Sequence, residues 1–201
     1  MLRYGPKRLV LVDNHNTALF YIEKELVEAG YGALLTPIVG DVKDEVMLDN
    51  LFKTYGPQVV FHAAAHKHVP LMETNPQEAV KNNTLGTYAL ADAATRYKAE
   101  RFLYISTVKA VRPSSVMGAS KRLGEMVIRA FADVNGTKCT GAVRPVLGSS
   151  GSPCAYPGAD TGRRAAYCYP PGRYALFYDG GLPYSLFCRP AAWAAAARSS
   201  C

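Results

Sequence analysis

Residues 7–41 read KRLVLVDNHNTALFYIEKELVEAGYGALLTPIVGD. The opening KRLVLVD (7–13) is a short apolar run ending in an acid, the pattern of a strand buried on both faces. At NTALFYIEKELVEAG (16–30) the period changes: Leu19, Ile22, Leu26 and Ala29 fall on one helical face, and Gly30 ends the helix. ALLTPIVGD (33–41) is a second apolar run. Strand, helix and strand in so short a span predict two parallel strands joined by a helical crossover.

The alternation continues. DEVMLDNLFKTYG (44–56) predicts a helix with Val46, Leu48, Leu51 and Phe52 inward, and QVVFHAAA (58–65) a third strand. NPQEAVKNNTLGTYALADAATRYKA (75–99) predicts one long helix entered at Asn75–Pro76, with Pro in the first turn. RFLYIST (101–107) is a fourth strand, GASKRLGEMVIRAFADV (118–134) a further helix, and KCTGAVRP (138–145) a fifth strand. The fold class expected is α/β: a Rossmann-like parallel sheet with helices on both faces. Ligands of such sheets lie at the carboxyl ends of the strands, where Asp13, Asp41, Ala63, Ala64, Ala65, Ser106 and Thr107 fall.

Asp13 suits an acid that accepts hydrogen bonds from ribose hydroxyls and disfavours a 2′-phosphate, which points to NAD; Asp13 or Asn14 would equally serve as a helix N-cap. Asp41 stands where a carboxylate could meet an adenine amino group, and Asp is also common there for turn reasons. His62, His66 and His68 straddle a strand end and a loop without Cys or carboxylate support, so the sequence gives no metal site.

Composition narrows the class. The chain has 201 residues, a net charge of +7 and five Cys. The basic residues are scattered rather than striped with aromatics, which speaks against nucleic acid. No stretch approaches the length of a membrane span and no signal peptide is visible, so the expected compartment is the cytoplasm, with the cysteines as reduced thiols. Composition breaks at about residue 152. Beyond it there is no Lys, Glu or His, while Cys154, Cys168, Cys188 and Cys201 lie in a Tyr- and Pro-dense tail. The expected organisation is a partial dinucleotide-binding domain over 1–152 and an irregular tail over 153–201.

HAAAHKHVPLMETNPQEAVKNNTLGT (62–87), followed by ISTVKAVRPSSVMGASKR (105–122), resembles the CapD-type polysaccharide biosynthesis family. These are UDP-N-acetylglucosamine 4,6-dehydratases of the extended short-chain dehydrogenase/reductase superfamily. The likeness covers about residues 7–152 and rests on several uncommon words in the right order and spacing. It implies NAD as cofactor, a UDP-sugar as substrate, and removal of water across carbons 5 and 6. In the family a strand-end Thr-Asp-Lys carries the elimination: the Lys takes the carbon 5 proton and the Asp protonates the departing hydroxyl. A second Lys, after a Met, binds the nicotinamide ribose and helps polarise the 4-hydroxyl. Carried over by position, the catalytic set is Thr107, Lys109, Met117 and Lys121. The cofactor set is Asp13, Asp41, Val42, Ala63, Ala64, Ala65, Asn83, Ser106 and Lys121, and Lys67, His68 and Val69 would meet substrate. A homo-oligomer is compatible with the resemblance.

Two positions depart from the pattern. Val108 occupies the place of the acid, and His66 stands where an aromatic hydroxyl is usual. The family also places a first strand, a glycine-rich loop and a first helix upstream of Met1, and that strand is central in the order 3-2-1-4-5-6. Without it, the second and fourth family strands are expected either to pair directly or to have another segment between them. Near the other end, VRPVLGSSGS (143–152) is two residues shorter than the family loop. Back-translation of AAYCYPPGRYALFYDG (165–180), shifted by one base, permits PLTVTHPDVTRYFMT, which resembles the family's substrate-side continuation. The tail is accordingly expected to be an out-of-frame product rather than a substrate domain. Epimerisation at carbon 4 or 5, and a non-catalytic nucleotide-binding scaffold, are the alternatives.

Overall fold

The computed structural model describes Leu2 and residues 5–135 and 138–143, with side chains to residue 132. The expectations for the tail beyond residue 143 lie outside the described residues. Strand β1 (Leu9–Asp13) leads into helix α1 (Asn16–Glu28), a 3₁₀ turn (Gly32–Leu34) and strand β2 (Leu35–Val39). The N-cap of α1 is neither Asp13 nor Asn14. His15 Nδ1 accepts the Ala18 N–H at 3.1 Å, while Asp13 Oδ1 accepts the His15 N–H at 2.7 Å, so the acid shapes the turn instead. Leu19 and Leu26 are the buried ridge of α1, and Gly30 leaves it at φ +87°, where a Cβ would be strained.

Helix α2 (Glu45–Tyr55) starts at Asp44, whose Oδ1 accepts the Met47 N–H at 2.9 Å, and ends at Gly56 with φ +51°. Its inner face is Leu48, Leu51 and Phe52; Val46, expected inward, is 72% exposed. At about 100° per residue, Val46 lies some 200° round from Leu48, so both cannot face the core. Strand β3 (Val59–His62) ends before the three alanines, which form the loop rather than the strand. A short helix α3 (Val69–Thr74) follows. The long helix is interrupted: α4 (Pro76–Val80) passes through a π-turn (Lys81–Leu85) into α5 (Gly86–Arg96). Strand β4 (Arg101–Ser106), a 3₁₀ turn (Val108–Ala110), helix α6 (Val116–Asn135) and strand β5 (Lys138–Val143) complete the order.

All strand pairs are parallel, but they form two sheets. β1 pairs with β2, from Leu9 opposite Leu35 to Asp13 opposite Val39. β4 is the middle of a second sheet in the order β3-β4-β5. Among the described residues β1 and β3 neither pair with each other nor have a strand between them, so the expected direct pairing does not occur. The halves are held by side chains instead. Val10, Val12 and Ile38 pack against a core of Leu48, Phe52, Val60, Leu90, Phe102 and Tyr104. The unpaired edge is why every residue of LVLVD stays partly exposed, although a parallel strand of this composition is normally covered. A smaller apolar cluster, Met72, Ala79 and Met117, joins α3 and α4 to the start of α6.

Candidate active site

The apolar alternation of β4 turns Phe102, Tyr104 and Ser106 into the core and delivers Thr107 at its carboxyl end. Thr107 is extended (φ −143°) and its Oγ1 accepts the Lys109 N–H at 3.4 Å, which starts the 3₁₀ turn. That turn docks on α6 at Gly118, where a Cβ would come within 2.5 Å of the Lys109 carbonyl oxygen. Any side chain at 118 would push the turn off the helix. Gly124 has the same function one and a half turns later, where a Cβ would collide with the Tyr104 hydroxyl. The two glycines let α6 lie directly on the strand end.

The two lysines differ in solvation. Lys109 is exposed on the turn. Lys121 is 5% exposed; its Nζ donates to the Ile105 carbonyl at 2.7 Å and stands 4.2 Å from the centre of the Tyr104 ring. Burial pushes the Lys121 amine down to about 7, against the pull of the Glu125 carboxylate. Burial likewise holds His62 down at about 3, with Lys121 adding to the effect, and the His62 Nε2 and Thr87 Oγ1 share a hydrogen bond of 2.8 Å. Tyr104, beside them, is pushed above its usual range by burial. An amine poised near neutrality can hold or release a proton at physiological pH.

The other expected residues separate into those at the surface and those behind it. Ala63 and Ala64 are exposed and Ala65 half-buried, so residues 63–65 offer only methyl groups and backbone. Lys67 and His68 are exposed, and Val69 opens α3. Asp13 is half-buried at the end of β1. Asp41 accepts the Lys43 N–H at 2.9 Å and pairs with Lys43 Nζ at 3.2 Å. Burial raises its carboxyl, but Lys43 and the Asn14 amide together outweigh this and hold it below the usual range. Val42 packs against the core and against Gly86.

Three expected contacts lie behind the surface. Asn83 is fully buried in the π-turn; its Oδ1 accepts the His66 N–H at 2.7 Å, and its Nδ2 donates to the His66 carbonyl and to Ser120 Oγ, each at 3.0 Å. It braces the loop against α6 and has no amide valence left for a ligand. Ser106 donates its hydroxyl to Glu125 Oε1 at 2.6 Å. Met117 is buried among Met72 and Ala79 and anchors the start of α6. Sequence reasoning missed Glu125, Ser120 and Tyr104. Glu125 was findable, because it lies four residues after Lys121 and so on the same helix face.

The residues present fit a dinucleotide at the strand ends. An acid closes β1, a methyl-lined loop that lets a ligand backbone come close follows β3, and a buried amine lies beside the end of β4. Among the described residues no cluster of His, Cys, Asp or Glu could hold a metal ion, and no helix is long and apolar enough to cross a membrane.

The chain is similar to several known proteins. The capsular polysaccharide biosynthesis protein CapD of Staphylococcus aureus is 42% identical over 154 residues, which is 75% of this chain and 26% of CapD. The inverting UDP-N-acetylglucosamine 4,6-dehydratase of Campylobacter jejuni is 32% identical over 153 residues, 74% of this chain and 44% of the enzyme. The chain thus spans well under half the length of these relatives. The crystal structure of Pen from Bacillus thuringiensis superposes with a TM-score of 0.68 at 27% identity, covering 75% of this chain and 46% of Pen. The polysaccharide biosynthesis protein family matches residues 1–155, and the chain belongs to that family.

Proposed function

We propose that this chain carries the proton-transfer side of a nucleotide-sugar 4,6-dehydratase site of the UDP-N-acetylglucosamine type, weakened by Val108 in place of the acid. The observation that supports it is the docking of the Thr107–Lys109 turn onto α6 beside the buried amine of Lys121. NAD, when bound, would accept hydride from sugar carbon 4 and return it. Asp13 and the Ala63–Ala65 loop would hold the dinucleotide at the strand ends. Lys121 would anchor the ribose and polarise the 4-hydroxyl; its depressed affinity for protons suits it to that exchange.

Lys109, exposed at the strand end, would take the carbon 5 proton. Val108, 39% exposed in the same turn, can give no proton to the departing hydroxyl. Loss of a positioned general acid lowers such a step by about 10²–10⁴-fold. Turnover by this chain alone is therefore expected to be small. The same substitution supports a second reading. With a base and no acid, a proton removed from carbon 5 can be returned to the opposite face without loss of water, which is epimerisation.

The test has two stages. Calorimetric titration with millimolar NAD should give heat; none would remove both enzyme readings. Incubation with UDP-N-acetylglucosamine and NAD in heavy water should then give deuterium at carbon 5. In Val108→Asp, a 4-keto-6-deoxy product should rise over the unsubstituted chain. If Val108→Asp binds NAD yet forms no more of that product, the role given to position 108 is wrong.

A further inference from the structure

Lys121 does not sit alone on α6. One helical turn on, Glu125 is a carboxylate that nothing above has placed in the reaction. Its side chain is 12% exposed. Oε1 accepts the Ser106 hydroxyl at 2.6 Å and Oε2 accepts Arg122 Nη1 at 2.7 Å. Ser106 is the last residue of β4, directly before Thr107, and follows Ile105, whose carbonyl accepts the Lys121 ammonium. Two adjacent strand residues are thus gripped by two side chains one turn apart on one helix.

We propose that Glu125 is a positioning residue: its carboxylate, fixed by Ser106 and Arg122, clamps α6 to the end of β4 and keeps a compensating negative charge beside the buried Lys121 ammonium. The inference deepens the functional reading and rests on Lys121 being a site lysine. Ions of this kind are rarely buried without a partner, and the Lys121 Nζ has a carbonyl and a ring face but no direct carboxylate contact. Among the described residues, the titratable and charged groups about it are His62 on β3, Tyr104 on β4 and, on α6, Glu125 with the Arg122 it holds. Among them Glu125 is the one carboxylate. Its removal would leave the lysine with a cation and neutral rings, and the clamp on the strand end would lose its acceptor.

The experiment follows Lys121 by NMR in the 201-residue chain labelled with ¹³C at lysine Cε, its signal assigned by loss in Lys121→Met. The unsubstituted chain should titrate near neutrality. Glu125→Gln should move that midpoint down by about one pH unit, because the carboxylate's charge opposes the effect of burial on Lys121. Glu125→Asp should bring it part of the way back. A midpoint in Glu125→Gln equal to that of the unsubstituted chain overturns the proposal. If Glu125→Gln does not fold, Arg122→Gln carries the test. It frees the carboxylate from its competing cation and should move the midpoint up; a midpoint that stays or falls is the overturning result. NAD calorimetry on the same samples separates the two readings. A chain with these shifts that takes no NAD keeps the positioning role and loses the dehydratase. A chain that takes NAD with an unmoved midpoint does the reverse.

Discussion

Tyr104 and Gly124 are in obligate contact: the Tyr104 hydroxyl occupies the space that a Cβ at position 124 would need. The same hydroxyl leans on the Lys121 carbonyl at 3.4 Å, and the ring carries the Lys121 ammonium on its face. The height of Lys121 above the sheet is therefore set by the absence of a side chain three residues later. Gly124→Ala should destabilise the chain by about 1–3 kcal/mol, the usual cost of overpacking. Tyr104→Phe removes the closest atom of the clash, so the double variant should lose less than the sum of the single ones in urea denaturation. Strict additivity would show that the contact does not govern packing.

Lys121 also gives a stability signature in pH. Its proton affinity in the fold, about 7, is below the ordinary 10.5, so between these values the unfolded chain binds a proton that the folded chain does not. Stability from this group should rise as pH goes from 7 towards 10.5 and be lowest below 7. Lys121→Met should therefore stabilise the chain more at pH 6 than at pH 10. Equal effects at both values, by thermal or urea unfolding, contradict the burial of a chargeable amine.

His62 acts in the same sense at lower pH. Its midpoint is lowered from 6.5 to about 3, so stability from it is complete above 6.5 and falls as pH drops towards 3. His62→Gln, which keeps a donor for Thr87, should flatten the acid limb of the stability curve. An acid limb as steep as that of the unsubstituted chain would place the titrating group elsewhere.

Asn83→Ala removes a fully buried amide from the His66 amide and carbonyl and from Ser120. Each buried group left without a partner costs about 1–3 kcal/mol. The variant should lose at least that much, and amide exchange at residues 63–68 should quicken before exchange in the β4 core does. Uniform quickening would mean that Asn83 supports the whole domain rather than the loop.

The outer and inner faces of α2 make a paired test. Val46→Ser should stay within about 0.5 kcal/mol of the parent, whereas Leu48→Ala should cost about 2–5 kcal/mol. Similar costs at the two sites would reverse the assignment of the faces.

The strand–helix alternation was legible because each apolar run is short and several helices carry start or stop signals: Asp44 before α2, Gly56 after it, Pro76 in the first turn of α4. Val46 reads as inward only from being apolar, whereas its angle from Leu48 puts it on the outer face of the helix. The site was legible as positions, not as contacts. Thr107 and Lys109 lie on a turn that docks on α6, the helix that carries Lys121, while Met117 and Asn83 are buried behind it, because a motif records which residues recur and not which way they point. The π-turn could not be read, since it depends on Asn83 and Thr84 bonding to α6 more than thirty residues away. The divided sheet could not be read either; periodicity shows that β1 wants neighbours, not whether it has two.

That division has a thermodynamic consequence. Among the described residues, β1, α1 and β2 are joined to the remainder by apolar side-chain packing, with no ladder of backbone hydrogen bonds crossing the seam. Such a unit separates at a cost below that of global unfolding, so the chain should melt in two cooperative steps, with the amides of β1 and β2 losing protection first.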